Sequence, residues 1–81
     1  MKSKILITGS QGFIGKIIVD KLKKKYHILA IDKKDNLANQ KNFAKINLLN
    51  LKSLEQIFKK NKISKIIHLA SEIFDDDKNV F

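Results

Sequence analysis

The 81-residue sequence has no cysteine, no proline, no tryptophan and no arginine, and it contains only three glycines. Without cysteine there are no disulfides, no thiolate metal ligands and no thiol nucleophile. Without arginine, the side chain that recognises bases and phosphates in bidentate fashion is missing. Long apolar runs are missing too. After Met1-Lys2-Ser3-Lys4, only Ile5-Leu6-Ile7 stand before Thr8 and Gly9. That is too short for a signal-peptide core or a bilayer span, so a cytoplasmic chain with no membrane partner is expected.

In their place are lysine (17), isoleucine (13) and asparagine (7), together 37 of 81 residues, and a net charge of +9. All three can be encoded with A/T-only codons, so base composition explains the charge without a nucleic-acid partner. A lysine surface still gives salt-sensitive phosphate affinity, but no specific nucleic acid is expected. The charge is uneven. Residues 1–71 carry +12, whereas Glu72, Asp75, Asp76 and Asp77 against Lys78 give residues 72–81 a balance of −3. That acidic tail reads as a solvated segment. With 43% hydrophobic residues the chain is not a disordered one, and its length gives one small domain with a marginal core.

Lys4-Ile5-Leu6-Ile7-Thr8 is a nearly continuous aliphatic run, the pattern of a strand buried on both faces. Beyond Gly12 the period changes. Ile14, Ile17, Ile18 and Leu22 recur at helical spacing, and the spacing predicts a helix over 13–25 with lysines in its last turns. His27 to Asp32 is a second buried-type strand, 33–43 a polar loop, and 44–47 a short third strand. Asn50 is placed to cap a helix carrying Leu51, Leu54, Ile57 and Phe58 on one face. Residues 65–70 form a fourth strand. The order implies an α/β fold, a partial doubly wound parallel sheet of the Rossmann type. It has about four strands and two main helices on opposite faces.

All three glycines lie in Thr8-Gly9-Ser10-Gln11-Gly12-Phe13-Ile14-Gly15, between the first strand and the first helix. A glycine at the strand end allows a sharp turn. One at the helix start lets a pyrophosphate approach backbone N–H groups, and the third lets helix and sheet pack closely. The positive end of the helix then faces the anion. Asp32 ends the second strand 17 residues after Gly15, near the expected ~20. A carboxylate there accepts from adenosine ribose hydroxyls and repels a 2′-phosphate, which favours NAD over NADP; Lys33 and Lys34 soften that repulsion.

The glycine spacing with Phe13-Ile14 inside it resembles the extended short-chain dehydrogenase/reductases, which include NAD-dependent epimerases and dehydratases of nucleotide sugars. Asp32, Asn47-Leu48 and His68-Leu69-Ala70-Ser71 match in order. The resemblance implies that residues 1–71 are the N-terminal part of a NAD(P)-binding domain, with the acidic tail 72–81 standing where the fold would continue. It implies that Gly9, Gln11, Gly12, Phe13, Ile14 and Gly15 form the pyrophosphate loop. Asp32 would hold the ribose, and Asn47 and Leu48 would flank the adenine. The family's usual aspartate is an amide at Asn47, a weaker contact. Leu69, Ala70 and Ser71 would pass beneath the nicotinamide-side ribose, and His68 is expected to be a structural partner.

The family's catalytic Tyr-x-x-x-Lys pair is not in these 81 residues, because Tyr26 is followed four positions later by Ala30. No catalytic residue is therefore expected in the chain, and a nucleotide-sugar substrate would require a further part. Two other readings stay open: a free-standing dinucleotide-binding regulatory module, and a basic nucleic-acid-binding module. The fourth strand is expected to be a sheet edge, open to self-association.

Overall fold

The four segments read as strands form one parallel sheet. A computed structural model describes residues 2–70; Ser71 and the acidic tail lie outside the described residues. The strands are β1 (Ser3–Thr8), β2 (Ile28–Asp32), β3 (Phe43–Lys45) and β4 (Lys62–His68), and the helices are α1 (Phe13–Leu22) and α2 (Leu51–Lys60). The sheet order is β3-β2-β1-β4, with each neighbouring pair parallel. The doubly wound arrangement read from the sequence is the observed one.

The central position of β1 and β2 explains their unbroken hydrophobicity. Successive strand residues point to opposite faces, and both faces here are covered. Ile5, Ile7, Ile28 and Ala30 meet Val19, Ile18 and Leu22 of α1 on one face. Leu6, Leu29 and Ile31 meet Leu54 and Ile57 of α2 on the other. Burying one such aliphatic side chain contributes about 1.5–3 kcal/mol. Apart from Val19, the buried hydrophobic residues among the described residues all come from β1 and β2, and α2 has no buried residue. The two central strands carry the core.

Three elements differ most from the sequence reading. First, α1 stops at Leu22, and the N–H groups of Lys25 and Tyr26 both turn back to the Leu22 carbonyl. That pattern tightens the end of the helix where three consecutive lysines follow. Second, β3 begins a residue early, at Phe43, and ends at Lys45. Third, β4 begins at Lys62 because a bulge extends its pairing with β1. The register steps from Lys4 opposite Ile63 to Ile5 opposite Lys65, and the Oγ of the extra residue, Ser64, donates to the Lys4 carbonyl at 3.3 Å.

The connection between β2 and β3 is unusual for parallel neighbours. It spans residues 33–42 and contains no helix, whereas such crossovers normally take a dozen or more residues, usually with a helix. On the far side of the sheet β4 is an edge, with Ile66 54% exposed. Among the described residues no helix is long and apolar enough to cross a membrane.

Candidate functional site

Because all four strands run parallel, their carboxyl ends share one edge, where ligands bind in open α/β sheets. Four segments meet there: the glycine loop after β1, the start of the crossover after β2, Ile46 and Leu48 after β3, and Leu69-Ala70 after β4. Between them lies a cleft of about 400 Å³. A larger groove of about 820 Å³ runs between α1 and the crossover, toward the amino-terminal end of β2 at His27 and Ile28. It is away from the carboxyl edge.

Thr8, at the end of β1, stitches the site to β4. Its Oγ1 accepts the N–H groups of Leu69 at 3.1 Å and Ala70 at 3.2 Å. Both lone pairs are then in use, so the hydroxyl donates to His68 Nδ1, 2.7 Å away. In the neutral ring the His68 proton therefore sits on Nε2. His68 acts as a structural partner of Thr8.

The three glycines have different reasons to be glycine. Gly9 turns with φ +73, and a Cβ there would lie 2.7 Å from the Ala70 nitrogen. Gly15 is buried, and a Cβ there would collide with the Gly9 carbonyl oxygen and lie 2.9 Å from Ser10 Cα. Gly12 has neither reason. Its φ is −75, ordinary for any residue, and the nearest atom to an added Cβ is the Gly9 carbonyl oxygen at 3.4 Å. The chain itself does not need a glycine at this position. Gly12 lines the cleft at the N-cap of α1. The first N–H groups of the helix have no intrahelical acceptor, and the helix dipole puts about half a positive charge at this end.

Asp32 joins the glycine loop to the crossover. Its Oδ2 accepts the Gln11 N–H at 2.9 Å, and its Oδ1 accepts the Lys34 N–H at 3.0 Å. Lys33 and Lys34 line the cleft beside it. Ile46 and Leu48, alternating after β3, pack on the Leu6–Leu29–Ile31 cluster and also form an apolar wall of the cleft.

Of the residues singled out in the sequence, Gly9, Gly12, Asp32, Leu48, Leu69 and Ala70 come together around the cleft. Gly15 lies beneath the loop. Phe13 and Ile14 project outward from the first turn of α1, 76% and 53% exposed. Asn47 is not part of the lining; its Oδ1 accepts the Leu49 N–H at 2.9 Å and closes a turn ahead of α2. Ser71 lies outside the described residues. The side chain of Gln11 turns away from the cleft into the crossover, where Asn36 and Gln40 receive it. Those two residues carry no pattern in the sequence that marks them.

Comparisons with known proteins agree with this geometry. The sequence model of the "NAD dependent epimerase/dehydratase family" matches residues 5–80. A dTDP-D-glucose 4,6-dehydratase of Dictyostelium discoideum is 42% identical over 82 residues, covering 84% of this chain and 19% of that protein. Among solved structures, L-threonine dehydrogenase from Clostridium difficile superposes with a TM-score of 0.76 at 29% identity, over 89% of this chain and 25% of that one. The dTDP-glucose 4,6-dehydratase of Bacillus anthracis, solved in complex with NAD, superposes with a TM-score of 0.73 at 26% identity, over 86% and 27%. The chain thus spans about a fifth to a quarter of these relatives. With the parallel sheet, the glycine loop and the acid ending β2 all in place, a match over nearly the whole sequence makes the chain a member of the NAD dependent epimerase/dehydratase family.

Proposed function

We propose that this chain is the dinucleotide-binding part of a nucleotide-sugar epimerase or dehydratase and that it takes NAD in the cleft at the carboxyl edge. Gly12 carries the reading. A glycine that neither backbone strain nor internal packing requires faces the cleft at a helix N-terminus, where a pyrophosphate needs an unobstructed approach to N–H groups. In this reading Gly9 and Gly12 flank the pyrophosphate. Asp32 accepts from the adenosine ribose hydroxyls through the lone pairs that Gln11 and Lys34 leave free. The wall of Ile46 and Leu48 takes the adenine, and Leu69 and Ala70 support the nicotinamide-side ribose.

NAD supplies hydride transfer when bound; these residues hold and orient it. A 2′-phosphate would be driven against the Asp32 carboxylate, which favours NAD, while Lys33 and Lys34 narrow the preference over NADP. The nucleotide sugar and the proton-transfer chemistry require groups that these 81 residues do not contain. A cytoplasmic location accords with this reading.

The experiment is calorimetric titration of the chain with NAD, repeated on Gly12→Ala. The unaltered chain is expected to bind, and its unfolding temperature to rise with ligand concentration. Gly12→Ala should stay folded, because the lower freedom of its unfolded chain offsets a poorer N-cap to within about 0.5 kcal/mol. Its NAD affinity should fall at least about tenfold, or 1.4 kcal/mol. No binding to the unaltered chain at millimolar NAD, or equal binding by the variant, would overturn the proposal.

A further inference from the structure

The helix-free crossover 33–42 has to satisfy its backbone by other means, and three side-chain amides do so. Gln11 Oε1 accepts the Ala38 N–H at 2.9 Å. Gln11 Nε2 donates to Asn36 Oδ1 and to Gln40 Oε1, both at 2.9 Å. Asn36 Oδ1 also accepts the Gln40 N–H at 2.9 Å, and Asn36 Nδ2 donates to the Gln40 carbonyl at 2.8 Å. Gln40 Nε2 closes the ring by donating to the Ser10 carbonyl at 2.7 Å. Asn39 takes the left-handed conformation the tight turn needs, with φ 56.

The orientation of each amide is fixed by a backbone partner. A backbone N–H can only donate and a carbonyl can only accept, so Ala38 sets Gln11, Ser10 sets Gln40, and the Gln40 main chain sets Asn36. The ring has one consistent arrangement. None of its members titrates near neutral pH.

Gln11 alone belongs to both halves of this assembly. Its main-chain N–H holds Asp32 Oδ2, and its side chain holds the crossover that begins with Lys33 and Lys34 at the cleft. We propose that Gln11 is a positioning residue: its amide clasps the crossover to the glycine loop, so that ligand binding in the cleft and ordering of residues 36–40 are coupled. The inference rests on the NAD reading above. A crossover released from the clasp must be ordered again each time ligand binds, and that cost appears as lost affinity.

The test uses the full chain and NAD, with calorimetry for affinity and amide hydrogen exchange at Ala38 and Gln40 for order. NAD should increase protection at both amides in the unaltered chain. Gln11→Met and Gln40→Met, which keep side-chain length and remove the amide, should each bind about tenfold more weakly and lose the ligand-induced protection. Unchanged affinity in a folded Gln11→Met, or protection at Ala38 that does not respond to NAD, overturns the coupling. If Gln11→Met does not fold, Gln40→Met, which leaves the glycine loop intact, decides the matter by the same two measurements. Failure of NAD to bind the unaltered chain overturns the NAD reading and this inference together. Unchanged binding by the variants overturns this inference alone.

Discussion

Two segments leave the carboxyl ends of β1 and β2 side by side, and they are built in opposite ways. The glycine loop dispenses with side chains: at Gly9 and Gly15 a single Cβ would strike backbone atoms, and Gly12 lines the cleft. The crossover is assembled from side chains, with Gln11, Asn36 and Gln40 supplying the hydrogen bonds that a crossover helix would have made for itself. Rigidity follows from exclusion in one and from polar cross-linking in the other. The two respond differently to substitution. Errors in the loop are steric and cannot be relieved, whereas errors in the part-buried crossover can be met by water.

The largest expected effect tests the steric half of this contrast. Gly15→Ala puts a methyl group into the Gly9 carbonyl oxygen. Gly9 has no room to retreat, because its own Cβ position is already closed by the Ala70 nitrogen at 2.7 Å. The substitution should cost about 3 kcal/mol, the upper end for overpacking, read as a lower midpoint of denaturant unfolding. A midpoint equal to that of the unaltered chain would break the contrast, since the loop could then give way as the crossover does.

The contrast also decides what could be read from the sequence. Strand and helix signals are local: aliphatic runs, helical spacing and the capping Asn50, whose side chain accepts the Ser53 N–H, all lie within a few residues. The glycine loop is local too, and Gly9, Gly12 and Asp32 line one cleft. The amide clasp joins Gln11 to partners 25 and 29 positions away, and asparagine and glutamine are common enough here that none stands out. Asn47, expected beside the adenine, also has a local partner that no motif marks: its carboxamide oxygen accepts the Leu49 N–H in the turn before α2.

A smaller effect, of opposite sign, comes from the one ordinary side chain buried within the loop. Ser10 is 0% exposed, and its Oγ is the buried side-chain polar atom left without a hydrogen-bond partner among the described residues. A buried hydroxyl with no partner costs about 1–3 kcal/mol, whereas alanine fills much the same space with nothing to satisfy. Ser10→Ala should therefore raise the unfolding midpoint, by about 1 kcal/mol. The backbone contacts of Ser10, its N–H to Ile31 and its carbonyl to Gln40, are kept. A drop in stability would show that the loop depends on a side chain after all, and would bring the two segments closer in kind.

The smallest effect lies within the crossover and separates its neutral cross-links from its charged one. Asp35 Oδ1 meets Lys45 Nζ at 2.7 Å and ties the crossover to β3, with the side chains 72% and 61% exposed. The hydrogen bond from Lys45, followed by its charge, holds the Asp35 carboxyl below its ordinary value of 3.8. The folded value lies below the unfolded one, so the pair's contribution is fully present above the unfolded value and is lost as pH falls through the folded value. Solvent and salt screen a pair this exposed, so Lys45→Gln should move the unfolding midpoint only slightly at neutral pH. The difference between variant and unaltered chain should vanish in acid and in high salt. The amide clasp carries no titrating group, and the affinity loss of Gln40→Met should persist unchanged in high salt. If the Lys45→Gln difference survives acid, the pair acts through packing rather than charge, and the crossover is held by one kind of contact instead of two.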